Sequence, residues 1–86
     1  EQSIDLYPNP ARNETNIQVV LSNDSEVKIE LLDASSKLVK LVKATSVQSA
    51  GDELYHLNLE DVAAGVYNVV ITIDGVTSQR KLIRIQ

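Results

Sequence analysis

The chain contains no cysteine, methionine, tryptophan or phenylalanine. Without cysteine there is no disulfide, no thiolate nucleophile and no zinc site built on sulfur; the redox compartment stays open, export included. Aromatic residues amount to three tyrosines, so the core must be aliphatic, drawn from Val, Leu and Ile. Such a composition favours strands over helices. Basic residues are outnumbered, 8 against 12 acidic, giving a net charge of −4. A nucleic-acid binder usually carries a basic face, so the composition argues against that class, and the dispersed charges read as a solvated surface. No apolar run approaches the roughly 18 residues of a membrane span. No signal peptide is recognisable either, so any targeting segment is expected elsewhere, in a longer precursor.

What the chain does contain is alternation. Its 86 residues suit one domain, taken as residues 1–86, and folding at this size buries roughly 60 to 65% of the unfolded surface. Ile17, Val19 and Leu21 share a face; so do Val27, Ile29 and Leu31, with Lys28 and Glu30 opposite. Tyr55, Leu57 and Leu59 alternate with His56 and Asn58, and Tyr67, Val69, Ile71 and Ile73 form a fourth set. The final run, VTSQRKLIRIQ, alternates less cleanly: Ile83 and Ile85 are expected inside, with Arg80, Leu82 and Arg84 facing out. KLVKLVKAT also fits a helical stripe, but its shortness, its β-branched residues and its neighbours make it a strand. About seven short strands at ten-residue spacing predict an all-β, antiparallel, Ig-like sandwich.

Turn signals separate the runs. Asp74-Gly75 predicts a two-residue type I′ turn, since both central residues need positive φ. SNDSE and DASSK read as short polar loops and residues 46–53 as a longer one. The only two prolines bracket Asn9 in LYPNPA. Pro8 and Pro10 lack an N–H and push Tyr7 and Asn9 to extended conformations. The segment is therefore expected to leave the first strand as a stiff corner, with Asn9 closing a local turn through its side-chain carbonyl. A second corner is expected in LNLEDVAAGVY. There Gly65 would permit positive φ or a close approach, and Tyr67 would bury its ring while its hydroxyl reaches a backbone group upstream, as in a tyrosine corner.

Taken in order, LYPNPA, LEDVAAGVY and RKLIRIQ resemble the C-terminal sorting domain of the type IX secretion system (the Por secretion system, type A) of Bacteroidetes. That family opens with a PNP motif, carries a Leu-x-x-Gly-x-Tyr segment and ends on a basic, β-branched strand. The resemblance covers nearly the whole chain. One departure is the middle turn, where the family often has Gly-Lys and this chain has Ser36-Lys37. The resemblance implies a C-terminal export signal for a cargo domain that precedes it in the precursor. Its implied partners are outer-membrane secretion components and a sorting peptidase that normally removes the domain. The implied route is the periplasm, then the cell surface or medium. The implied recognition residues are Gly65, Tyr67, Arg80, Lys81, Leu82, Ile83, Arg84, Ile85 and Gln86, with Pro8, Asn9 and Pro10 as a structural motif.

Nothing in the sequence asks for catalysis, a metal or a cofactor, and none is expected. His56, the only histidine, lies on the polar side of a strand, and no nucleophile elbow occurs. The acidic pairs Asp52-Glu53 and Glu60-Asp61 lie in expected loops but match no EF-hand. The triplets NET and NDS match glycosylation sequons, which arise often by chance. Two other classes compete with a sorting domain. An Ig-like or fibronectin-like spacer suits the sandwich equally, but leaves the PNP motif and the basic last strand unexplained. A carbohydrate-binding module would need exposed aromatics that this chain scarcely supplies.

Overall fold

The alternating runs become seven strands in the computed structural model, which describes residues 2–86. These are β1 Gln2–Tyr7, β2 Glu14–Leu21, β3 Ser25–Leu32, β4 Leu38–Gln48, β5 Gly51–Asn58, β6 Gly65–Ile73 and β7 Val76–Arg84. One sheet has the order β1-β2-β5 and the other β4-β3-β6-β7, with every ladder antiparallel. Inward residues of both sheets form one aliphatic core. Ile17 and Val19 meet Val27, Ile29, Leu31 and Ile71, all fully buried. Ala11, Leu59 and Val62, from the connections, plug one end of that core.

The Asp74-Gly75 turn is as the sequence predicts, with φ of 49° and 82°. Asp74 also ties this hairpin to β3, donating its N–H to Glu26 O and accepting the Glu26 N–H on its carboxylate, both at 2.9 Å. Ser36 takes the position a glycine would favour, with φ of 68°. Asp33 compensates there. Its carboxylate accepts from the N–H groups of Ser35 and Lys37, and these contacts, that with Lys37 foremost, hold its pKa below the usual 3.8.

Two expectations are corrected. The run at 46–53 is no loop: β4 extends to Gln48 and β5 starts at Gly51. Only Ser49 and Ala50 cross between sheets, because the polar-looking Gln48 is a buried strap. Its amide donates to Val19 O at 3.3 Å and accepts the Tyr55 hydroxyl at 2.6 Å. β4 itself shows three register irregularities against β3. Each bulge shifts the parity of the alternation, which is why its sequence mimics a helical stripe.

The second correction concerns β7. Leu82 is fully buried, Ile83 only half-buried and Ile85 37% exposed. The two-residue turn sets the register, placing Leu82 opposite the inward Tyr67 and Ile83 opposite the outward Val66. A strand's faces follow from its partner, so Leu82 belongs to the core.

Candidate functional site

The three sequence motifs meet at one end of the sandwich. The segment Pro8-Asn9-Pro10 leaves β1 in one sheet and crosses to the outer edge of β7 in the other. Its two proline peptide bonds, Tyr7–Pro8 and Asn9–Pro10, are both cis. Pro8 O accepts the hydroxyl of the buried Thr15 at 2.8 Å. Asn9 makes no local turn. Pro10 has no N–H, and the Ala11 N–H that such a turn would use is committed to Ile83 O at 2.8 Å. The Asn9 side chain instead acts as a piece of backbone: Nδ2 donates to Lys81 O at 2.7 Å and Oδ1 accepts the Ile83 N–H at 3.1 Å. Ala11 continues the ladder, accepting from Ile85 N at 2.8 Å in a parallel bridge centred on Arg84. The edge of β7 from Lys81 onward is thus covered by the segment that follows β1.

The second motif closes the same end from the other side. The Tyr67 hydroxyl donates to Ala63 O at 2.5 Å, completing a tyrosine corner. Gly65 is not in the left-handed region, and a Cβ there would meet the Tyr67 ring only at an ordinary 3.6 Å. Neither strain nor crowding demands glycine at this position. Arg84 staples β7 to the corner. Its Nε lies 3.1 Å from Val62 O and 3.3 Å from Leu59 O, and its Nη2 lies 3.2 Å from Leu59 O. The carbonyls of the tight Leu59–Val62 turn are thereby capped by a cation, which is worth more than a neutral donor. Lys40 of β4 adds a brace through Asn58 O at 2.6 Å and Asp61 at 2.7 Å. The Lys40 hydrogen bond holds the Asp61 carboxyl below its usual pKa. The Arg12 guanidinium donates to Gln86 O.

These contacts sort the residues singled out in the sequence. Tyr67 and Leu82 are interior, and Arg84 is half-buried and engaged with backbone. Arg80 is exposed, and its guanidinium donates to its neighbour Gln79 O. Ile85 lies beside Pro8 and Pro10 in a shallow depression also lined by Arg12, Asn13 and Glu14. Lys81 and Ile83 face outward on the four-stranded sheet, next to Asn68 and Val66 of β6. Thr15 and Lys40 were not singled out, yet they help hold the end together. Ala11 and Leu59 lay inside the quoted LYPNPA and LEDVAAGVY segments, Leu59 also on an alternating face, but neither was given a role at this end.

His56 pairs with Glu14, both exposed. Among the described residues no group of three His, Cys, Asp or Glu side chains is placed to hold a metal ion.

The family model of the secretion system C-terminal sorting domain matches residues 5–86. No curated protein matches the chain.

Proposed function

Since the chain belongs to the family of type IX secretion C-terminal sorting domains, we propose that its signal is a folded surface and not a linear tag. The domain is a sorting signal that directs an N-terminal cargo to the cell surface or medium, and a spacer or carbohydrate module is not favoured. One observation carries the surface reading. The motif residues Asn9, Tyr67, Leu82 and Arg84 are spent on internal contacts. A receptor meets what they support: the outward face of β7 and β6, with Lys81, Ile83 and Val66. On this reading residues 1–86 act as one non-catalytic domain that passes through the periplasm folded. Outer-membrane components of the machinery engage that face, and a sorting peptidase then removes the domain.

The test fuses the chain to a neutral reporter in a type IX-competent cell. Lys81→Glu with Ile83→Ser is expected to leave the denaturant midpoint close to the wild type and to lower export. Export of this folded double variant at the wild-type rate would refute the surface reading.

A further inference from the structure

The strand that closes the chain has its edge covered, from Lys81 to Ile85, by Asn9 and Ala11. The opposite edge of the same sheet does not. β4 is the longest strand, 11 residues, and its one ladder is to β3. We propose that β4 is a docking edge for an extended segment of the export machinery in which acidic and apolar residues alternate. The proposal rests on the sorting role stated above and places a second contact on the same sheet.

Three observations lead there. An edge strand offers a row of N–H and C=O groups, which proteins blunt with charges and bulges. β4 has bulges, and its partly buried Lys40 and Lys43 lie opposite Leu31 and Ile29 of the inward face. Val42 packs against the core, but the other large apolar residues of β4 do not follow it inward. Leu38, Leu41 and Val47 are 57%, 53% and 67% exposed, opposite the outward residues Leu32, Glu30 and Glu26. Edge protection accounts for the lysines and bulges but not for exposed leucines. The surface is also continuous with the face of β7: Leu38, Leu32, Asn68 and Lys81 form one row across four strands, and Leu41, Glu30, Val70 and Gln79 the next.

Charge selects the occupant. Residues 34–51 hold three lysines and no acidic residue, in a chain of net charge −4. Lys40 is neutralised by Asp61. Lys43 engages the Ser46 hydroxyl and lies 5.9 Å from the centre of the Tyr55 ring. A second copy pairing through β4 would set lysines against lysines, which is unfavourable. An acidic strand meets both the charge and the open edge. A lipid headgroup would meet the charge and leave the backbone groups unpaired. Recognition by strand addition takes affinity from main-chain hydrogen bonds and specificity from alternate side chains.

Two measurements test this. In the reporter fusion, Leu38→Ser with Leu41→Ser, and separately Lys43→Gln, are expected to lower export several-fold while the melting midpoint of the isolated chain holds. Leu54→Ser, equally exposed on β5, is the control and exports normally. Independently, a synthetic peptide of alternating Glu and Val is titrated into the chain. Saturable chemical-shift changes confined to β4 and its neighbours are expected, and a Lys-Val peptide gives none. Wild-type export of the folded β4 variants, or β4 amides unmoved by the Glu-Val peptide, overturns the proposal. So does dimerisation through β4, or binding to phosphatidylglycerol vesicles that these substitutions abolish. If the wild-type fusion itself is not exported, the sorting role fails instead, and the peptide titration still decides whether β4 accepts a strand.

Discussion

The side-chain amide of Asn9 donates a 2.7 Å hydrogen bond to the carbonyl oxygen of Lys81, 72 residues later in the chain. The same amide accepts the N–H of Ile83. One short side chain therefore does what a strand's backbone would do, between two prolines that have no N–H to offer. The PNP segment is an edge cover for β7, and its asparagine is the part that reads the edge.

Asn9→Ala should remove both bonds and cost about 1 to 3 kcal/mol, since each neutral hydrogen bond contributes roughly 0.5 to 1.5 kcal/mol net. Chemical denaturation measures the loss. Amide exchange should quicken at Ile83, whose N–H loses its acceptor, while the amides of β3 stay protected. Unaltered exchange at Ile83 would show that the cover does not depend on Asn9.

Tyr67 permits a finer dissection. Tyr67→Phe keeps the ring and removes the hydrogen bond to the carbonyl of the exposed Ala63, at a cost of about 0.5 to 1.5 kcal/mol. Tyr67→Ala also empties the core, at roughly 3 to 5 kcal/mol. A small domain has about 5 to 15 kcal/mol in all, so the alanine variant should be close to unfolded and the phenylalanine variant folded. Equal midpoints for the two would mean that the ring contributes nothing.

The two arginines of β7 should behave oppositely. Arg80 is exposed and its guanidinium donates to Gln79 O beside it, so Arg80→Ala should fall within about 0.5 kcal/mol of wild type. Arg84 holds Leu59 O and Val62 O, and hydrogen bonds to charged groups are worth about 1.5 to 3 kcal/mol. Arg84→Ala should therefore destabilise, and Arg84→Lys should rescue little, because an ammonium cannot span two carbonyls as a planar fork does. An Arg84→Ala variant as stable as Arg80→Ala would remove the staple from the account.

The strands were legible because one face of each is buried, so period two is written into Ile17 to Leu21, Val27 to Leu31 and Tyr67 to Ile73. The corner was legible because a tyrosine hydroxyl must find a partner within reach. The faces of β7 were misread for want of one step. Counting outward from the Asp74-Gly75 turn sets Leu82 against Tyr67 and settles which residue is inside. What Asn9, Arg84 and Lys40 hold was not legible, since their partners are carbonyl oxygens of distant segments, which no residue type announces. Gln48 was hidden for the same reason: a glutamine looks polar until its buried partners are known.

That glutamine gives the fold a response to alkali. The Tyr55 hydroxyl donates to Gln48 Oε1 at 2.6 Å and is pushed from its ordinary pKa of 10.0 to about 12, mainly by burial and further by the nearby Glu53 carboxylate. A raised pKa means that the fold favours the neutral phenol. Below pH 10 the residue is neutral in folded and unfolded chains alike, and its contribution is fully present. Between about pH 10 and 12 the unfolded chain ionises first, so stability falls as pH rises through that window. Wild type should therefore lose stability more steeply than Tyr55→Phe across this range, although the variant starts lower at neutral pH because Gln48 loses its donor, at about 1 to 3 kcal/mol. Denaturant midpoints measured at successive pH values give the two slopes, and the difference in phenolate absorbance between the folded wild type and folded Tyr55→Phe should titrate late. Parallel slopes would mean that Tyr55 ionises as freely in the fold as out of it, and the buried bond to Gln48 would then carry no pH dependence.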